Sequence, residues 1–166
     1  MINYFAYGSN MFTRRLIERV PSARAIGIGK LTGHHLQWHK KSTDGSAKCD
    51  IEIAELTEQI VWGVLFSIDP SEKGHLDKAE GLGYGYEEKT VSISTETTVV
   101  EAITYYATKI DNTLPVYDWY KAFVLAGAEE HDLPFEYLQA IKLVADVKDP
   151  DNERRQKNFL ILNKDN

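Results

Sequence analysis

Residues 60–68, Ile-Val-Trp-Gly-Val-Leu-Phe-Ser-Ile, carry the strongest strand signal in the chain, and the elements around them do not alternate strand with helix. Residues 2–7, Ile-Asn-Tyr-Phe-Ala-Tyr, are rich in β-formers and are broken by Gly8-Ser9-Asn10. A short helix is expected over 11–19, with Phe12, Leu16 and Ile17 near one face and Arg14, Arg15 and Glu18 more exposed. Ser9 or Asn10 would be its N-cap. Strands are expected at 25–31, 34–39 and 50–56, with a polar loop over 42–48. After the 60–68 strand, Asp69-Pro70-Ser71-Glu72 offers an acidic cap, a proline at the first helical position and a glutamate at the third. That helix should carry Leu76 and Ala79 inward and stop near Gly81. Strands at 88–94 and 99–107 and helices at 116–130 and 134–144 follow. This order argues against a doubly wound parallel sheet. It predicts an α+β domain over 1–148, a small mixed, mainly antiparallel β-barrel with flanking helices. A polar extension, 149–166, completes the chain, apolar only at 159–162.

The net charge of −6 argues against a nucleic-acid partner, which needs a clustered basic surface. His39-Lys40-Lys41 and Arg154-Arg155 are short basic clusters and read as solvated surface. No window approaches the roughly 20 apolar residues of a membrane span. Cys49 is the one cysteine, so an internal disulfide and a multi-thiolate metal site are both excluded. A single cysteine fits a reducing compartment. The chain opens on a strand-like run with no basic leader, so no signal peptide is expected. The default is a cytoplasmic enzyme or binding protein.

Four features compete for a functional role. At Tyr7-Gly8-Ser9-Asn10 a strand runs through glycine into a helix start, whose free amides suit a carboxylate, a phosphate or an oxyanion. The plainer reading is a capped turn. Glu80 sits at a helix C-terminus, where the helix dipole disfavours its ionised form, and burial would raise its pKa further. The plainer reading is a surface acid. His35 and His39, with Gln37 between them, share a strand face, with His34 on the other, but no third metal ligand is apparent. Gly27-Ile28-Gly29-Lys30-Leu31-Thr32-Gly33 has one residue too many for a dinucleotide fingerprint and no helix after it. Ser9 lacks the context of a hydrolase nucleophile. Of nine tyrosines, most are expected to be packing residues with the hydroxyl at the surface.

Taken together, these segments resemble the γ-glutamylcyclotransferase family. Tyr4-Phe5-Ala6-Tyr7-Gly8-Ser9-Asn10-Met11 is similar to its opening signature, and Pro21-Ser22-Ala23 follows at the family's spacing. Val61-Trp62-Gly63-Val64-Leu65-Phe66 resembles its central strand. Leu76-Asp77-Lys78-Ala79-Glu80-Gly81 resembles the segment that carries its catalytic glutamate. Tyr120-Lys121, Gly127-Ala128 and Leu133-Pro134-Phe135-Glu136-Tyr137 resemble its C-terminal helical region. The resemblance implies release of 5-oxoproline from a small-molecule γ-glutamyl substrate, with Glu80 as general acid/base and no metal or organic cofactor. It implies substrate contacts from Tyr7, Gly8, Ser9 and Asn10, with Tyr105 and Tyr86 added, and a homodimer. The loop amides would hold either the α-carboxylate or the developing oxyanion. The lysine-bearing loop 40–48 departs from the family pattern, which leaves the released amine open: an amino acid, a simple amine or a carrier conjugate. A non-catalytic relative that only binds is the alternative from another class.

Overall fold

A computed structural model describes residues 1–55 and 57–163. Leu56, at the end of one expected strand, and residues 164–166 of the expected extension lie outside the described residues. Five strands close a barrel in the order β1 (Ile2–Ala6), β5 (Ile60–Ile68), β2 (Arg24–Thr32), β6 (Tyr86–Ser94) and β7 (Val99–Ala107). All pairings are antiparallel except the closing contact of β1 with β7, at Tyr4 and Ile103. The run at 60–68 takes the place its composition demands. β5 is hydrogen-bonded on both edges, and Val61, Val64, Leu65, Phe66 and Ile68 are buried with Phe5 and Ile93. Burying each such side chain stabilises the fold by roughly 1.5–3 kcal/mol.

β3 (His34–Lys41) and β4 (Ala47–Ile53) form a separate two-stranded ribbon with a bulge between Trp38 and Lys40. It is tied to the barrel's edge through β7 and the loop after it. The Lys41 amide donates to the Lys109 carbonyl at 2.8 Å, and the Asp111 amide to the His39 carbonyl at 2.8 Å. The Ala107 amide donates to Asp50 Oδ1 at 2.7 Å. His39 is therefore not solvated surface: it is buried against Asp50, with Nε2 2.9 Å from Oδ2.

Local structure departs from expectation around the first turn. A single 3-10 turn (Ser9–Met11) precedes α1 (Thr13–Ile17), and neither Ser9 nor Asn10 caps α1, which starts after an extended Phe12 without a side-chain cap. Both side chains are drawn into tertiary bonds instead. Arg15, expected to be exposed, is buried with its guanidinium 4.3 Å from the Phe123 ring centroid. Ile17, expected to face inward, is exposed.

Asp69 caps the next helical stretch as expected, accepting from the Ser71 amide at 2.8 Å. Glu72 does not complete a capping box. It accepts from the Ser22 amide at 2.8 Å, while the Ser22 hydroxyl accepts from the Asp69 amide at 2.9 Å. α2 (Lys73–Glu80) buries Leu76 but leaves Ala79 exposed, because the face turned inward also carries Lys73, Asp77 and Glu80. Gly81, at φ 72°, ends it in the left-handed region that favours glycine.

α3 (Asp118–Glu130) crosses the 3-10 turn so closely that a Cβ on Gly127 would overlap the Phe12 amide and come 2.6 Å from Met11 Cβ. α4 (Phe135–Leu143) packs against α3. The polar residues after 149 form α5 (Asn152–Asn163), held to α3 by charge. Asp149 is fully buried, accepting from Trp119 Nε1 at 2.7 Å and from Arg154 Nη2 at 2.6 Å. Arg155 Nε donates to Asp118 at 2.6 Å, so this basic pair too is engaged rather than solvated. No helix among the described residues is long and apolar enough to cross a membrane.

Candidate active site

β1 ends at Ala6, and the chain runs through Tyr7 and Gly8 into the 3-10 turn. The Met11 and Phe12 amides bond back to the carbonyls of Gly8 and Ser9. The amides ahead of them, Gly8 to Asn10, have no acceptor within the turn, as at any helix start. Gly8 is hemmed in: a Cβ there would stand 3.1 Å from the Tyr120 hydroxyl and 3.3 Å from Cys49 Cβ.

Asn10 is the hub. Its Nδ2 donates to Glu80 Oε1 and, at 3.2 Å, to the Tyr4 hydroxyl, while its Oδ1 accepts from Arg19 Nη1 at 2.9 Å. Ser9 Oγ accepts from Arg15 Nε at 3.2 Å. The last residue of α2 thus faces the end of β1, with two guanidiniums behind the loop. The cavity so formed holds about 300 Å³ of space, mouth included. Tyr4, Cys49 and Tyr120 line it together with all seven residues singled out from the sequence: Tyr7, Gly8, Ser9, Asn10, Glu80, Tyr86 and Tyr105.

The electrostatics separate the roles these groups can play. Burial raises the pKa of Glu80 above the ordinary 4.5, against the opposing pull of Arg19, Arg15, Lys40 and the Tyr4 hydroxyl. A carboxyl in that condition exchanges its proton more readily near neutrality than a surface acid does. Burial likewise raises Tyr4, Tyr7, Tyr86 and Tyr120 well above 10, and Tyr105 rises for the same reason with help from Asp77, so these tyrosines are neutral walls and donors. Several hydroxyls are already committed. Tyr7 donates to the Tyr105 carbonyl, Tyr86 to the Cys49 carbonyl and Tyr105 to Asp77 Oδ1, each at 2.6 Å.

Burial pushes the Cys49 thiol up to about 12, so it is not a thiolate nucleophile. Ser9 Oγ accepts from a guanidinium, and no histidine is among the lining residues. His35 instead pairs with Glu52 at 2.7 Å, and no group of three or more His, Cys, Asp or Glu among the described residues is placed to hold a metal. What remains is one half-buried carboxyl, a set of loop amides and nearby positive charge. That arrangement can move a proton and hold an anion without covalent attachment.

Three lining residues were not singled out from the sequence. Tyr4 lies within the opening motif, and Cys49 lies on the ribbon, whose packing no local pattern reveals. Tyr120 reads as helix packing. The guanidiniums did leave a signal: Arg15 and Arg19 are four residues apart and so share a helical face.

Known proteins share both sequence and shape with this chain. A gamma-glutamylcyclotransferase from Bos taurus is 32% identical over 146 residues, covering 85% of this chain and 77% of that protein. The chain belongs to the gamma-glutamylcyclotransferase family. The Homo sapiens gamma-glutamylcyclotransferase is 31% identical with the same coverage. The model of the AIG2-like family matches residues 60–141, a window that runs from β5 through Glu80 to α4. A solved gamma-glutamyl cyclotransferase superposes with a TM-score of 0.87 at 26% identity, covering 98% of this chain and 99% of that one. The family's enzymes thus share the mixed barrel with flanking helices.

Proposed function

We propose that this chain is a γ-glutamylcyclotransferase in which Glu80 serves as both general base and general acid. The observation that carries the reading is Glu80 itself, a carboxyl with a raised pKa, bonded through Asn10 to the strand-end loop of a cavity without a covalent nucleophile. The substrate supplies its own nucleophile. Once the α-ammonium of the γ-glutamyl group has given one proton to solvent, its nitrogen bonds to the γ-carbonyl carbon while Glu80 takes a second proton from it, which leaves the single N–H of the lactam. The tetrahedral centre then collapses, the bond to the leaving nitrogen breaks, and protonated Glu80 returns its proton to that nitrogen. The products are 5-oxoproline and a free amine, and no water is consumed.

Tethering makes the attack effective, since well-oriented intramolecular reactions reach effective molarities of roughly 10⁵ M or more. The Gly8, Ser9 and Asn10 amides hold an anionic oxygen of the substrate, with Arg15 and Arg19 adding positive charge behind them. Tyr7, Tyr86 and Tyr105 shape the walls. The reading includes a cytoplasmic setting, which the single, free and buried Cys49 supports, and a homodimer, as the family likeness suggests. It also treats residues 1–148 as the catalytic domain and 149–166 as an extension braced on it.

The test is 5-oxoproline release from a panel of γ-glutamyl compounds, wild type beside Glu80→Ala. Release by the wild type alone supports the assignment. Equal release by both overturns the role of Glu80, and no release by folded wild type overturns the activity.

A further inference from the structure

Lys40 belongs to the stretch that departs from the family pattern, and the ring closure gives it no task. Its Nζ stands 4.5 Å from the centroid of the Tyr86 ring, one wall of the cavity. Its side chain also crosses the backbone at Gly85, where a Cβ would meet Cε at 3.1 Å and Nζ at 3.2 Å. The ammonium is therefore held over the turn that joins Glu80 to Tyr86.

Among the described residues Lys40 has no ion-pair partner. Of the two carboxylates whose charge it feels, Asp44 is paired with Lys48 and Glu80 is bonded to Asn10. Burial lowers its pKa, Glu80 and Asp44 oppose the drop, and Lys109 adds to it. A partly desolvated, unpaired ammonium gains more from an anion than a hydrated one does. The anion it meets is constrained by the cavity. The cavity is small and its lining is taken up by the strand-end loop, Glu80 and tyrosine rings, so a leaving group of any size lies outward of it. Arg15 and Arg19 already stand behind Ser9 and Asn10 on the loop side, whereas Lys40 stands on the Tyr86 side.

We infer that Lys40 binds a carboxylate on the leaving amine and so sets a preference for γ-glutamyl amino acids over γ-glutamyl conjugates of neutral amines. The inference rests on the cyclotransferase reading. The carboxylate concerned sits on the carbon bonded to the scissile nitrogen, on the amine's side of the bond that breaks.

A matched pair of substrates tests it, γ-glutamyl-alanine and γ-glutamyl-ethylamine, which differ by that carboxylate. The ratio of their kcat/KM values is measured for wild type, Lys40→Met, which keeps an unbranched stem over Tyr86, and Lys40→Arg, which keeps the charge. The expected result is a ratio in favour of the acid that falls about 10- to 100-fold in Lys40→Met, the usual scale for a charged hydrogen bond. The fall should appear in KM, and Lys40→Arg should retain most of the ratio. Equal losses on both substrates would overturn the inference and make Lys40 a positioning residue acting through Glu80 or the turn. An unchanged ratio would overturn it too. A wild type that releases 5-oxoproline from neither substrate removes the underlying reading and the inference with it, an outcome distinct from the other two.

Discussion

Replacing Glu80 by glutamine should make this protein nearly inactive and, at neutral pH, more stable. The side chain keeps its shape, but the group that moves both protons is lost. Positioned proton transfer is worth about 10²–10⁴-fold. With one residue serving both steps, kcat should fall by about 10³-fold or more, or about 4 kcal/mol of barrier. The stability change has the opposite sign. Burial raises the pKa of Glu80 more than Arg19, Arg15, Lys40 and the Tyr4 hydroxyl lower it, so the folded chain holds the proton more tightly than the unfolded chain does. Its contribution to stability is then fully present below the ordinary 4.5 and is lost as pH rises through the folded pKa. Glutamine never ionises and loses nothing over that window. The assays are 5-oxoproline release and thermal unfolding, both as a function of pH. The acid limb of wild-type kcat/KM should lie above 4.5, and the Tm advantage of the variant should appear at neutral pH and fade below 4.5. A glutamine variant less stable than wild type at pH 7, or an acid limb in the ordinary carboxylate range, would refute the claim that burial tunes this acid.

Other consequences are independent of the chemistry. Gly127→Ala should destabilise the fold by about 1–3 kcal/mol, as overpacking does, because its Cβ meets backbone of the 3-10 turn; chemical denaturation reads the loss, and KM should rise as the loop is displaced. Asp44 is raised by burial but lowered more by Lys48 and Ser46, to about 2 from 3.8. Its stabilisation is present above pH 3.8 and lost as pH falls toward 2, so Asp44→Asn should flatten the decline of Tm across that interval. Cys49, held as a thiol, should resist iodoacetamide in the native protein at neutral pH and react once the chain is unfolded, as a mass shift would show.

The parts of the fold legible in the sequence are those governed by a single local rule. The strand at 60–68 has its expected bounds because a continuous apolar run pays off only when buried. Asp69 caps as expected because the cap is decided within three residues. The expectation failed where distant partners outbid local ones. Asn10 has the chemistry of an N-cap, yet Tyr4, Glu80 and Arg19 claim its side chain. Ala79 looks like an inward residue, yet that helix turns a charged face to the cavity. α5 carries no regular apolar stripe in sequence: Arg154 and Arg155 pair with Asp149 and Asp118, and only Phe159, Ile161 and Leu162 pack against the core. The cavity residues Gly8 and Glu80 carried a local signature, whereas Cys49 joins them only because the ribbon folds over the barrel's edge.

The ribbon has a ladder of its own, joined to the barrel by a few hydrogen bonds at β7 and the loop after it, so this enzyme has a catalytic body and an attached arm. The barrel and α2 supply the acid and the loop, and the ribbon supplies Cys49 and Lys40. Mutations along the ribbon's tip break no barrel pairing. On the Lys40 inference, the amine that is released can change through the ribbon while the residues that close the ring stay in place.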